Sequence, residues 1–152
     1  MSMPDIRSLV PHSGRMVLLD RVVAADADTL TAELTIRADH PFVDGDGDGV
    51  GAWVGIEFMA QTIAAFAGHD AMLDGRPPKV GFLLGTRAYA CNAPSFPVGT
   101  TLRVTVRREL HGENGGLGSF SCTISGAGIE AHAMLAVFQP DSTEGFLTGQ
   151  DG

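Results

Sequence analysis

Apolar and polar residues alternate along much of this chain, and the one long stretch where they do not is equally informative. In TLTAELTI (residues 29–36), Leu30, Ala32, Leu34 and Ile36 fall on one face, with Thr31, Glu33 and Thr35 on the other. A period of two is the mark of a half-buried strand. The run before it, VLLDRVVA (17–24), is rich in β-branched and aliphatic residues and ends at the acidic turn ADAD, so the pair predicts a hairpin. TTLRVTVRREL (100–110) alternates again, with Leu102, Val104 and Val106 inward and Arg103, Thr105 and Arg107 outward. Residues 79–91, 117–125 and 129–139 read as further strands, separated by the turns NAPSFPVG, HGENGG and SGAG.

From Ala52 to about Leu73 the alternation stops and no proline intervenes. Trp53, Ile56, Met59, Ala60, Ile63, Ala64, Phe66 and Ala67 fall at helical spacing and cover most of the circumference. A helix apolar nearly all round must be buried. Its small residues (Ala60, Ala64, Ala65, Ala67, Gly68) let a sheet wrap closely around it, and DGRPP (74–78) stops it. The predicted order is β-β-α-β-β-β-β, an α+β architecture with an antiparallel sheet wrapped around one long central helix. Such a sheet has a free edge, which predicts pairing of two subunits edge to edge. Residues 1–140 form the single expected domain and 141–152 a polar tail.

Composition narrows the function classes. A chain of 152 residues suits one core. A net charge of −8 gives no basic stripe for nucleic acid. Cys91 and Cys122 are too far apart in sequence for a zinc motif and too few for a disulfide framework. Glu57, Gln61, His69 and Asp70 interrupt the apolar segment 50–73, so it reads as a core helix and not a membrane span. With no signal-peptide pattern at the start, a cytoplasmic protein is expected.

The chemistry concentrates in HPFVDGDGDGVGAWVGIEFMAQ (40–61). Asp44, Asp46 and Asp48 resemble the start of a calcium loop, but counting from Asp44 the twelfth residue is Gly55, and Glu57 comes two later. No helix enters the loop either. The aspartates therefore read as solvated turn residues, and no metal is expected. Glu57 stands out, because it lies about a turn into an otherwise apolar helix where an unpaired carboxylate would cost several kcal/mol, on the order of 3 or more.

Three stretches carry a family resemblance: LVPHSGRMVLLDRV (9–22), the 40–61 segment, and FLLGTRAYACNAPSFPVGTTLRVTVRREL (82–110). Together they resemble the hot-dog fold 3-hydroxyacyl-acyl-carrier-protein dehydratases, most of all the branch associated with aryl polyene synthesis. The resemblance covers residues 9–138. It departs from the family at one place: the Gly-His-Phe-Pro of the active-site loop is missing, and Asp44-Gly45-Asp46 stand there instead. The resemblance implies a 3-hydroxyacyl thioester on a carrier protein or coenzyme A as substrate, no cofactor, and a homodimer or a heterodimer with another hot-dog chain.

Dehydration needs a base for the proton α to the carbonyl, an acid for the leaving hydroxyl, and donors for the thioester oxygen. Glu57 and His40 are the candidate catalytic residues, His40 being the nearest histidine to the vacant position. Asp46 holds the base's place by alignment. Backbone amides at Ala52 and Trp53 are the candidate oxygen donors, Gln61 orients Glu57, and Trp53, Phe58 and Phe82 are expected along the acyl chain. Each has a plainer role: Glu57 in an ion pair with Arg87 or Arg103, Gln61 bonding a backbone group, His40 as a surface-loop residue. Arg87, Arg103, Arg107 and Arg108 are the candidate patch for an acidic carrier protein. Two other functions compete with dehydration: a hot-dog thioesterase using Glu57 to activate water, and a non-catalytic subunit stabilising an active partner.

Overall fold

A computed structural model of the chain describes residues 3–10, 14–75, 82–110 and 117–138. Of Phe82, Leu84, Leu110 and Leu117 it describes the backbone alone. The strands are β1 (Arg21–Ala25), β2 (Thr29–Thr35), β3 (Gly49–Gly51), β4 (Phe82–Cys91), β5 (Ser95–Pro97), β6 (Thr101–Leu110), β7 (Leu117–Gly126) and β8 (Ile129–Phe138). One helix, α1 (Gly55–Leu73), lies between β3 and β4. Six strands make an antiparallel sheet in the order β1-β2-β6-β7-β8-β4, and β3 and β5 form a separate pair.

Alternation decides what the sheet buries. Leu30, Ala32, Leu34, Leu102, Val104 and Val106 are all essentially inaccessible, and in register β2 places Leu30 opposite Val106 and Leu34 opposite Leu102. The opposite face is polar: Thr31 and Thr105 share a hydroxyl hydrogen bond of 2.8 Å, and Glu33 bridges Arg21 and Arg103. Helix α1 crosses the inner face against β2, β6 and β7. Its other side meets the N-terminal segment, where Met16 and Leu18 bond to Gln61 and Leu9 lies against Gly68. Gly68 is where that cover comes closest. A Cβ there would meet the backbone of Leu9, with its carbonyl carbon at 2.9 Å and its Cα at 3.0 Å.

Two boundaries differ from the sequence pattern for local reasons. Val17–Leu19 are buried but lie before β1: the Val17 N–H turns back to the Gly14 carbonyl and the Leu18 N–H goes to Gln61 on the helix. The helix begins at Gly55, after a 3-10 turn over Ala52–Val54. The pair β3/β5 was not predicted. Strands of three residues are too short to show a period. The tail, the 111–116 turn and the DGRPP stop beyond Gly75 lie outside the described residues. Among the described residues no helix is long and apolar enough to cross a membrane.

Candidate active site at the start of the central helix

The loop before the helix is closed by its own backbone. Val43 N–H donates to the His40 carbonyl at 3.1 Å, Asp44 N–H to Gly49 at 2.8 Å, and Gly47 N–H to Asp44 at 2.9 Å. The Asp46 carboxylate accepts the Asp48 N–H at 3.0 Å, and Asp44, Asp46 and Asp48 are all exposed, as turn residues are. The loop is then fastened to the strand pair β3/β5, with Val98 N–H on the Asp48 carbonyl and Ala52 N–H on the Pro94 carbonyl at 3.0 Å.

Glu57 is half-buried in the first turn of α1. Its Oε2 accepts a hydrogen bond of 3.1 Å from Gln61 Nε2, the residue one helical turn on. Gln61 is completely buried and fully engaged: Nε2 also donates to the Met16 carbonyl at 2.7 Å, and Oε1 accepts the Leu18 N–H at 2.9 Å. The amide therefore ties three parts of the chain together and fixes the carboxylate. The sequence spacing suggested the Glu57–Gln61 pair; the anchors at Met16 and Leu18, more than forty residues away, left no sequence signal. Arg103 is bonded to Glu33 on the polar face of the sheet, so its principal carboxylate is not Glu57.

His40 sits otherwise than a free surface histidine. Its ring lies 6.0 Å from Phe42 and meets Phe58 edge-on, also at 6.0 Å. Nδ1 accepts the Phe42 N–H at 3.1 Å, which places the neutral ring's proton on Nε2. Nε2 is buried and finds no partner among the described residues. Burial pushes the imidazole below its ordinary pKa of 6.5, with Arg15 acting the same way and Asp20 and Asp39 opposing. Phe58 and Glu57 are successive helical residues and project roughly 100° apart.

The remaining candidates divide. The Ala52 N–H is taken by Pro94, and the Ala52 carbonyl accepts from Gly55 N–H and from the Tyr89 hydroxyl. Ala52 is thus no oxygen donor, because its amide is already spent. Trp53 follows it in the turn, where an opening amide has no intrahelical acceptor. The Trp53 side chain is 65 % exposed and edge-on to Phe42, not buried as its helical spacing predicted, because it belongs to the 3-10 turn and not to α1. Phe58 is wholly enclosed, with its ring against Phe96 and His40. The Phe82 side chain lies outside the described residues.

The arginines do not form one patch. Arg87 is on β4, three strand positions from β6, or about 14 Å. Of those on β6, Arg103 is held by Glu33, Arg107 lies 3.6 Å from Glu109, and Arg108 stacks on Phe66 beside Asp70.

An antiparallel sheet closed on one buried helix, with a carboxylate held in that helix's first turn, defines a hot-dog protein of the dehydratase and thioesterase kind. A sequence profile of the ApeP-like family, described as ApeP dehydratase, matches residues 4–148, and the chain belongs to that family. No curated protein sequence matches it. It is similar to the dehydratase heterocomplex ApeI:P from Xenorhabdus doucetiae, with 29 % identity over 99 % of this chain and 100 % of that one and a TM-score of 0.88. The PaaI protein of the E. coli phenylacetic acid degradation operon shares the fold at 12 % identity, covering 78 % of this chain and 81 % of its own, with a TM-score of 0.60. Zebra fish thioesterase superfamily member 2 does so at 10 % identity, 89 % and 92 % coverage and a TM-score of 0.59.

Proposed function

We propose that this chain is one subunit of a two-subunit hot-dog dehydratase acting on a 3-hydroxyacyl thioester carried by an acyl-carrier protein, in aryl polyene synthesis. The observation that carries the reading is the Glu57 carboxylate, set in the first turn of a buried helix by a glutamine whose every hydrogen-bonding group is engaged. The similarity to one chain of a dehydratase heterocomplex supports the two-subunit form, and the free edge strand β4 supplies a surface on which a second sheet can pair.

In the reaction a base takes the C2 proton, the C2–C3 double bond forms, and the C3 hydroxyl leaves as water after receiving a proton. Glu57 is the proton-carrying group of this chain. The Trp53 N–H, at the positive end of α1, receives the thioester oxygen as negative charge develops on it. Gln61 holds the carboxylate where the substrate's C2–C3 bond must lie. His40 enters as a neutral ring that seats the loop on Phe58, and the second proton-handling group comes from the partner subunit.

Mass spectrometry of a 3-hydroxyacyl carrier protein tests this, with the chain alone, with a hot-dog partner, and with Glu57→Gln and His40→Ala variants of the pair. Loss of one water by the pair, abolished in Glu57→Gln and retained in His40→Ala, is the expected result. Loss of activity in His40→Ala as deep as in Glu57→Gln would make His40 the base. Release of free acid would make the protein a thioesterase. Full activity of the pair with Glu57→Gln would leave this chain a supporting subunit.

A further inference from the structure

The side chain that fixes the opening turn of the helix comes from the sheet edge. Gly51 and Val54, which precede the 3-10 turn and α1, make no side-chain capping bond. The turn is held instead at Ala52, with its N–H on Pro94 and its carbonyl receiving the hydroxyl of Tyr89, the sole tyrosine of the chain. Gly55 makes room for that hydroxyl. A Cβ at Gly55 would collide with it and would also lie 3.0 Å from Ile124 Cδ1 and 3.3 Å from Phe96 Cζ.

Tyr89 reaches the turn because β4 is irregular there. Arg87 pairs with Met134 and Ala90 with His132, so Ala88 and Tyr89 together oppose a single residue of β8. Ala88 has φ +58°, in the left-handed region that a side chain other than glycine enters at a cost of about 1 kcal/mol. Bulges of this kind re-aim a side chain, and this one turns Tyr89 from the edge strand towards the helix. Burial and the neighbouring Cys91 push the phenol up to about 12, so it remains a donor throughout the physiological range.

We propose that Tyr89 is a positioning residue: its hydroxyl sets the 3-10 turn that presents the Trp53 N–H and leads into Glu57, and it couples that turn to the edge strand β4. The role rests on the dehydratase reading for its effect on rate, but not for its effect on the turn. A partner sheet that pairs with β4 then holds Tyr89, and through it the start of the helix, in one position.

The test is Tyr89→Phe in the full chain, which keeps the ring and removes only the donor. Amide hydrogen exchange at Ala52 and Gly55 is expected to quicken about fivefold or more, while amides of residues 66–71 at the far end of α1 keep their wild-type rates. In the assembled enzyme kcat is expected to fall about tenfold with KM within about twofold, since the donor is displaced and the substrate surface is kept. Unchanged exchange at Ala52 and Gly55 overturns the proposal, as does a loss of protection spread evenly along the helix. Wild-type kcat in Tyr89→Phe with quickened exchange overturns the link to the reaction. If the wild-type pair does not dehydrate the substrate at all, the functional reading fails, and the exchange result still decides what Tyr89 does to the turn.

Discussion

Replacing Gln61 by leucine removes three hydrogen bonds at one stroke, and the structure says which of them matters most. Leu18 is buried and its N–H loses its acceptor, at a cost of about 1–3 kcal/mol. The Met16 carbonyl sits beside a side chain that is 48 % exposed, so water replaces the lost donor there and the cost is about 0.5–1 kcal/mol. Glu57 is half-buried and is likewise partly rehydrated. Leucine fills most of the vacated volume and regains about 1 kcal/mol of apolar burial. The net expectation is a loss of about 2 kcal/mol. With a urea slope of about 1–3 kcal/mol per molar, the unfolding midpoint drops by on the order of 1 M. Gln61→Glu isolates the sign: it keeps an acceptor for Leu18 N–H but sets a second carboxylate against Glu57. Two close carboxylates cannot both ionise cheaply. The glutamate variant should therefore regain stability relative to wild type as pH falls from about 8 to about 5, while the leucine variant should not. A Gln61→Leu midpoint within about 0.2 M of wild type would refute the clamp, because the unsatisfied Leu18 amide alone predicts more.

Three further outcomes follow from other parts of the molecule. His40 has a depressed pKa when folded, so the stability it contributes is present above 6.5 and is lost as pH falls from there through the folded value; His40→Gln should flatten that part of a urea-midpoint profile. Tyr89, as the one tyrosine, should show its phenolate absorbance near pH 12 and not near 10.0 in the folded chain, and any stabilisation it gives is present below 10.0 and lost as pH rises through 12. Gly68→Ala gains about 1 kcal/mol of helix propensity but drives a Cβ into the Leu9 backbone, which cannot yield as a side chain does. Thermal unfolding should show the clash prevailing, with a net loss of about 1–2 kcal/mol.

The sheet was legible because β2 and the facing stretch of β6 repeat every two residues without a break in register, and Leu102, Val104 and Val106 are as inaccessible as their spacing required. The helix was legible for the opposite reason, since an apolar surface all round leaves no alternative to burial. Glu57 and Gln61 stood out as polar exceptions on it. What the pattern missed has a common cause. The anchors of Gln61, the closure of Ala52 by Pro94 and the reach of Tyr89 are contacts between segments distant in sequence, made by single atoms. Periodicity reports faces and not partners. Trp53 was misplaced because a helical period continues smoothly into a 3-10 turn, although the geometry changes there and turns the indole outward.

The order of the strands also governs the protein's synthesis. β4 leaves the ribosome directly after the central helix, but among the described residues its partner in the sheet is β8, which ends at Phe138. Until β8 has been made, β4 lacks that partner, and Leu83 on it stands 45 % exposed even in the folded sheet. The sheet therefore closes only once β8 has been made, and a chain stalled before β8 carries an open strand to which any other open strand can pair. Bulges between Leu83 and Gly85 and between Arg87 and Ala90 interrupt its hydrogen-bonding row, and so shorten the template such a stalled chain presents.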